Sequence, residues 1–355
     1  MALVHLSVTG FRVFAQAEFS PDPGVNLIVG SNGAGKTSLL EAIYYLGRGR
    51  SFRTRQVESV RRRSCEQLRI VGRIREEGRS ATLGIERDAR GQRIRVDRKA
   101  ASGSAECARL LPIQVVHPGS HRILEEGPRW RRQFVDWGVF HVEPLFHPVW
   151  KRYSETLRQR NAALRAGRPE REISLWDPLL IRHGEELSRL RFAYVERLAE
   201  GLPRLLEQVG LELPIEVTFN PGWKRDEELK EGLAARISTD RNRGFTSVGP
   251  HRADLVIRSD RRMAREVLSR GQQKLLVLAL VLTQALLHRD LTGRSSVMLL
   301  DDLSAELDSQ RRRDVLHLLR ESALQCFLTA TDEDAVGGTP DRMFHVEQGT
   351  IQRVI

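Results

Sequence analysis

The sequence predicts an α/β protein built around a phosphate-binding strand–loop–helix unit, with an antiparallel β part and an inserted helical domain. Three observations carry that prediction. Val25 to Ser38 runs from an apolar, β-branched stretch through Gly30, Gly33 and Gly35 into Leu39, Leu40 and Ile43, which have helical spacing. Ser296-Val297-Met298-Leu299-Leu300 is an apolar run ending in Asp301 and Asp302, as a buried strand does when it delivers an acid to a sheet edge. Between these, the stretch from Trp130 to about Thr239 has helical periodicity and separates two halves of mixed strand and helix character.

In chain order, residues 3–9 alternate apolar and polar like a half-buried strand. Residues 10–14 and 17–19 read as a second strand, and 20–24 as a turn. The helix after the glycine loop ends near Gly47 to Gly49. From Leu68 to Val96, short β-like runs alternate with Gly78, Gly84 and Gly91, the pattern of an antiparallel meander. Residues 111–116 form another buried strand. After Pro128 helical stripes take over, among them Leu187, Leu190, Tyr194 and Leu198, punctuated by prolines. Residues 247–255 return to strand and helix character, an apolar helix starts at Leu275, and 326–331 reads as the final strand. The expected division is 1–128 and 246–355 as two parts of one domain, with 129–245 inserted.

The glycine loop reads G-x-x-x-x-G-K-T and lies between a strand and a helix, the context that gives the P-loop pattern its meaning. Glycines let backbone N–H groups approach phosphate oxygens, and the positive end of the helix dipole points at the same anion. The nucleotide-binding residues are Gly30, Ser31, Asn32, Gly33, Ala34, Gly35, Lys36, Thr37 and Ser38. Lys36 reaches the β- and γ-phosphates of ATP, and the Thr37 hydroxyl ligates Mg2+. Asp301 is the acid expected to complete the metal site.

The formal net charge of +11 is high and comes almost wholly from arginine, which points to an anionic partner such as nucleic acid. Cys65, Cys107 and Cys326 are far apart and form neither a disulfide framework nor a zinc motif. The apolar run from Leu275 to Leu287 is too short to span a bilayer and reads as a buried helix, so a cytoplasmic location without membrane attachment is expected. The arginines between positions 48 and 63 admit two readings, phosphate contact or a solvated loop. Gln114 is either a sensor of the nucleotide metal or a satisfied strand residue, and His251 either catalytic or structural.

Leu268-Ser269-x-Gly271-Gln272, placed after the P-loop and before the acid-bearing strand, resembles the signature of ABC-type ATPases. Within that class the chain resembles the RecF family, relatives of the SMC heads. The resemblance rests on Gly10-Phe11-Arg12, the P-loop, Gly49-Arg50-Ser51-Phe52-Arg53, Arg131-Arg132-x-Phe134-x-Asp136, Gly249-Pro250-His251-Arg252, and Asp301-Asp302-Leu303-x-Ala305-Glu306-Leu307-Asp308. It implies an ABC-type ATPase head formed from both chain ends, and an ATP-dependent homodimer. In that dimer Ser269, Gly271 and Gln272 of one copy cap the nucleotide held by the other. It assigns a catalytic role to Asp302 and a nucleotide contact to Asp308. It also implies binding to single-stranded, double-stranded and gapped DNA, weak DNA-dependent ATP hydrolysis, and loading of RecA at gaps with RecR and RecO. Roles in replication restart and SOS induction come with it.

Two departures from the wider ATPase class stand out. Asp302 occupies the place of the usual glutamate base, and the usual switch histidine is missing where the chain reads Thr329-Ala330-Thr331-Asp332, leaving Thr331 as a candidate phosphate sensor. Two other readings share part of this pattern. A transporter-type nucleotide-binding subunit would share the P-loop and signature but explains neither the first hairpin nor the basic charge. A chromosome-structuring or double-strand-break head of the SMC type needs a coiled coil of hundreds of residues, and the insertion here is far shorter.

Overall fold

The computed structural model describes residues 1–224, 226–302, 309–332 and 338–355. The chain opens with a hairpin of β1 (Ala2–Phe11) and β2 (Phe14–Phe19), then β3 (Val25–Val29) feeds α1 (Lys36–Arg48). The meander follows as β4 (Leu68–Glu76), β5 (Arg79–Asp88), β6 (Gly91–Val96) and β7 (Lys99–Ala100). Next come α2 (Ser104–Leu110) and β8 (Ile113–Val116). The middle of the chain holds α3 (Arg122–Glu125), α4 (Pro128–Val142), α5 (Phe146–Arg165), α6 (Glu170–Ile173) and α7 (Asp177–Gln208). It continues with β9 (Ile215–Asn220), α8 (Leu229–Arg243), β10 (Asp254–Ser259), β11 (Arg262–Met263) and α9 (Ala264–Val267). The last third holds α10 (Arg270–Thr292), β12 (Val297–Leu300), α11 (Ser309–Glu321), β13 (Gln325–Ala330), β14 (Arg342–Glu347) and β15 (Thr350–Arg353).

Two compact units result. The first comprises Met1–Ser120, Leu205–Leu211 and Lys274–Ile355; the second comprises His121–Arg204 and Glu212–Gln273. The expected cuts at 128/129 and 245/246 therefore differ from the observed ones at 120/121 and 273/274. The second unit keeps the signature segment because β10 pairs along its whole length with β9 in an antiparallel sheet of order β11-β10-β9. Of that sheet only β9 falls within the stretch read as helical. That strand is short and lies between α7 and α8, so its period was lost among the helical stripes.

The first unit holds two six-stranded sheets. One is antiparallel, in the order β2-β1-β4-β5-β6-β7, and the other is mainly parallel, in the order β15-β14-β3-β13-β12-β8. In the second sheet β13 lies between the P-loop strand β3 and the acid-bearing strand β12. The expected final strand is not final: β14 pairs parallel with β3, and β15 closes on β14. Arg342–Glu347 is short and carries Arg, His and Glu, so its composition hides a strand whose Met343, Phe344 and Val346 are buried.

Helix α1 ties the two sheets together. Leu39, Leu40, Ile43 and Leu46 share one apolar cluster with Leu3, Phe11, Ile70 and Ile85 of the antiparallel sheet and with Leu299 and Phe327 of the parallel one. Each such side chain contributes about 1.5–3 kcal/mol by leaving water. The helix α10 is longer than its apolar run suggested. Its 23 residues are long and apolar enough to cross a membrane, yet 67% of its most apolar window is buried inside the fold. It is a core helix.

In the second unit, Gly138 of α4 meets Tyr194 of α7 so closely that a Cβ there would lie 2.0 Å from the ring's Cζ. The ring is itself buried. Gly138→Ala is therefore expected to lower stability by about 1–3 kcal/mol through overpacking, despite alanine's better helix propensity, as read by denaturant titration.

Candidate nucleotide site

The P-loop glycines serve different ends. Gly30 has φ +153°, and a Cβ there would lie 2.3 Å from the Val346 carbonyl oxygen of β14. Only glycine lets β14 pack that close. Gly33, at φ +83°, would project a Cβ with no described atom within 4 Å, so its need is the left-handed turn and an open approach above the loop. Helix α1 begins at Gly35 with no side-chain cap and no acid in its first turn. Its first N–H groups and its dipole are thus available to an anion. The Lys36 ammonium donates to the carbonyls of Gly30 (2.6 Å) and Ser31 (3.0 Å), folded along the loop that carries it. Burial holds its pKa below the ordinary lysine value, and the charges of Asp302 and Asp301 oppose that shift.

Asp301 leaves the C-terminal end of β12 with its backbone N–H bonded to the Val116 carbonyl at 2.9 Å. Its Oδ1 accepts from Thr37 Oγ1 at 2.9 Å and from Thr329 Oγ1 at 2.9 Å. Thr329 Oγ1 in turn accepts the Asp302 backbone N–H at 2.8 Å. The two expected metal ligands, Thr37 and Asp301, are therefore brought together across the intervening strand β13, whose Thr329 hydroxyl also holds Asp301. Burial raises the Asp301 pKa, while the two threonine hydrogen bonds and the nearby Arg53 lower it. A hydroxyl and a carboxylate side by side at a helix N-terminus suit Mg2+, which takes one or two protein oxygens and draws the rest from phosphate and water. Thr37 and Asp301 would hold the ion, and it would supply positive charge that offsets that of the phosphates.

Sequence reasoning missed Thr329 and Glu41. Glu41 lies on α1, fully buried, and accepts from Arg12 Nε at 2.8 Å and Nη2 at 2.7 Å. Ser51 Oγ also donates to it, and Arg53 Nη1 stands 3.5 Å away. The Gly10-Phe11-Arg12 and Gly49-to-Arg53 motifs thus converge on one carboxylate. The available signal was a glutamate on the apolar face of an amphipathic helix, which needs a partner to stay charged. Phe52 of the same motif packs against Tyr44 and His117, with ring centroids 5.4 and 5.0 Å apart.

The other arginines of the 48–63 stretch are partly engaged within the chain. Arg61 binds Glu58 and the Cys65 carbonyl, and Arg62 donates to the Val13 carbonyl. Gln114 hydrogen-bonds the buried side chain of Gln284 on α10. Thr331 donates to its neighbour Asp332 at 3.0 Å. Asp308, with Leu303, Ala305, Glu306 and Leu307 of the same motif, lies outside the described residues.

In the second unit the signature segment forms a reciprocal cap. Gln272 N–H donates to Ser269 Oγ at 3.3 Å, and Ser269 N–H donates to Gln272 Oε1 at 2.9 Å, the S-x-x-Q pattern of a capping box at the start of α10. A Cβ on Gly271 would meet no described atom within 4 Å.

His251 is held on both sides. Its Nε2 donates to the Thr246 carbonyl at 2.8 Å, and Nδ1 accepts from Tyr153 Oη at 2.7 Å. Burial pushes its pKa down to about 4, so it is neutral at physiological pH and its role is structural. Around it Arg131 pairs with Asp254, Arg132 donates to the Ala253 carbonyl, and Arg191 bridges Asp136 and the Pro250 carbonyl. The two arginine-bearing motifs of this unit therefore meet as a scaffold.

A P-loop threonine bonded to an acid two strands away, with a β meander packed on the P-loop helix and a capped Ser-x-Gly-Gln helix elsewhere in the chain, defines a nucleotide-binding head of the ABC ATPase class. An SMC head shares this fold at a TM-score of 0.63 and 15% identity, covering 100% of this chain and 97% of that one. Within the class, this chain belongs to the RecF family. The family profile described as "RecF/RecN/SMC N terminal domain" matches residues 2–352. The chain is 41% identical to the DNA replication and repair protein RecF of Thioalkalivibrio sulfidiphilus, covering 99% of each. It is 37% identical to the protein of that name from Nitrosococcus oceani, covering 100% of each. A solved structure of the recombination mediator protein RecF with ATP, in the RecFOR pathway, superposes at a TM-score of 0.90 with 26% identity, covering 99% of this chain and 97% of that one.

Two outcomes test this geometry. Glu41→Ala strands the Arg12 guanidinium, 19% exposed, without its partner. It should lower stability by about 3–5 kcal/mol, and the Arg12→Met/Glu41→Leu double variant should lose less, both measured by denaturant titration. For His251, the folded pKa of about 4 lies below the unfolded value of ~6.5. Between those values the unfolded chain binds a proton that the native chain refuses, so stability is full above pH 6.5 and falls as pH drops toward 4. His251→Gln, which can keep both hydrogen bonds, should show a shallower loss of melting temperature from pH 7 to pH 5.

Proposed function

We propose that this chain is an ATP-controlled DNA-binding protein of recombinational repair. Two copies close face to face around bound ATP and Mg2+, engage single-stranded, double-stranded or gapped DNA, and release it after slow hydrolysis. The observation that carries this reading is the bond from Thr37 to Asp301, which sets a hydroxyl and a carboxylate at the mouth of the P-loop. Membership of the RecF family supports the rest, including work beside RecR and RecO in loading RecA at gaps, replication restart, the SOS response and a cytoplasmic location.

The roles follow from the chemistry. Backbone N–H groups of residues 30–35 and the α1 dipole hold the phosphates, Lys36 turns from the loop carbonyls onto the β- and γ-oxygens, and Ser38 supports the loop from the buried side of α1. Asp302 orients the attacking water and accepts its proton, a task worth about 10²–10⁴-fold in rate. Its φ of 59° is left-handed, where a short side chain that bonds locally is tolerated. Asp308 contacts the nucleotide.

Ser269, Gly271 and Gln272 serve the twin copy. Glycine in a helix's first turn costs about 1 kcal/mol against alanine, and nothing described within the chain requires it at 271. Close approach of a second copy's nucleotide supplies the reason. The domain reading is that the unit containing both chain ends binds the nucleotide and the second unit carries the lid.

Lys36→Met should abolish ATP binding and ATP-dependent dimerisation. Asp302→Asn, which keeps the left-handed backbone accessible, should bind ATP normally, hydrolyse it at least ~10²-fold more slowly and accumulate as dimer. Sedimentation with and without ATP and Mg2+ reads both. A parent protein that stays monomeric at saturating ATP would overturn the proposal.

A further inference from the structure

The antiparallel sheet of the first unit packs one face on α1 and leaves the other exposed. Along β4, Leu68, Ile70 and Ile74 are buried, while Arg69, Arg73 and Arg75 alternate with them and are exposed. The register carries the pattern across the sheet. Arg69 lies opposite Glu86 of β5, which lies opposite Arg93 of β6; Val71 lies opposite Gly84, which lies opposite Arg95. The outer face therefore presents Arg69, Arg73, Arg75, Arg93 and Arg95.

The charge balance of this face is positive. Its acids on β5, Glu86 and Asp88, are both taken by Arg93, at 2.8 and 2.6 Å. Glu18 of β2 accepts from Ser7 at 3.0 Å and has His5 at 3.8 Å. Arg69, Arg73, Arg75 and Arg95 have no ion pair among the described residues. Between the arginines stand small groups, Thr82 opposite Arg73 and Ser80 opposite Arg75, so the floor is flat. With a rise of ~3.4 Å per residue and ~4.8 Å between strands, the arginines cover roughly 20 by 10 Å.

We infer that this arginine-lined outer face of the antiparallel sheet is a docking surface for the phosphate backbone of duplex nucleic acid. The inference deepens the proposed function and rests on it for the class of partner. Charge complementarity selects a polyanion. The face carries no Phe, Tyr or Trp side chain for unpaired bases to stack on, and stacking is how single strands are usually held. A flat, sequence-blind array of guanidinium groups fits paired strands, whose phosphates are fixed by the helix. The face also differs from the 48–63 stretch, where Arg53, Arg61 and Arg62 are spent on contacts within the chain.

The test replaces Arg69, Arg73, Arg75 and Arg95 together by glutamine in the full chain, and in a second variant by lysine. A control replaces Arg182, Arg189, Arg197 and Arg204, all exposed on α7, by glutamine. Binding to duplex and to single-stranded DNA is measured across a salt series, with ATP affinity as the check on the folded state. The glutamine variant should flatten the slope of log affinity against log salt for duplex by about 3–4, at ~0.9 per lost phosphate contact. The lysine variant should restore most of it, single-strand binding should change less, and ATP affinity should be unchanged. An unaltered duplex slope, an equal flattening in the control, or an equal loss for single strands would each overturn the inference. A parent protein that binds no DNA at all would instead overturn the proposed function, and this inference with it.

Discussion

One carboxylate oxygen, Asp301 Oδ1, receives hydrogen bonds from Thr37 of the P-loop helix and Thr329 of the neighbouring strand. Much of the first unit is arranged so that this meeting occurs. Thr37 and Asp301 lie 264 residues apart, and the strands that lead to them, β3 and β12, are not neighbours, because β13 separates them. Parallel pairing sets the level: Thr329 lies opposite Ile28, and Leu300 opposite Leu328, so the strand ends reach one edge together. A slip of one residue in the β12–β13 pairing would turn Thr329 away from the acid, and one in the β3–β13 pairing would shift Thr37 from it.

Glu41 plays the corresponding part on the other side of α1. A carboxylate with no solvent access is stable only if charged donors surround it. Arg12 arrives from the β1–β2 turn, where its φ of 52° marks the reversal of the hairpin, and Ser51 and Arg53 arrive from the segment after the helix. Arg53 is also close enough to Asp301 to lower its pKa. The first hairpin, the P-loop helix, the following arginine segment and Asp301 are thus electrostatically continuous. Removing one member changes the field at the others.

The features legible in the sequence were those with a short-range signature. The P-loop, the apolar strand ending in Asp301, the meander from Leu68 and the apolar helix from Leu275 each announce themselves by spacing within a few residues. What was not legible depends on distant pairing. Thr329 looked like a polar residue in a buried strand until β13 was placed between β3 and β12. Glu41 looked like one more helical polar residue until Arg12 was brought over it. His251 is instructive in the other direction: its position after Gly-Pro allowed either role, and only the two-sided hold by Thr246 and Tyr153 decides for structure. The strands β9 and β14 were hidden by short length and mixed composition, and each is pinned by a strand distant in the chain, β10 and β3.

Asp302 shows how backbone and chemistry constrain each other. Its N–H is tied to Thr329, and its φ is positive, so the chain turns sharply where β12 ends. Aspartate and asparagine enter that region at lower cost than longer side chains, because a short polar group can bond locally. A glutamate would reach further toward a terminal phosphate but fits the turn less well. The shorter acid is thus the side chain this backbone accepts, and in the proposed mechanism it would hold the base one methylene further from the attacking water. Slow hydrolysis in the proposed cycle then follows from the same hydroxyl that holds Asp301. Thr329 fixes the turn, the turn favours aspartate, and in the proposed cycle that aspartate would set a long-lived ATP-bound state.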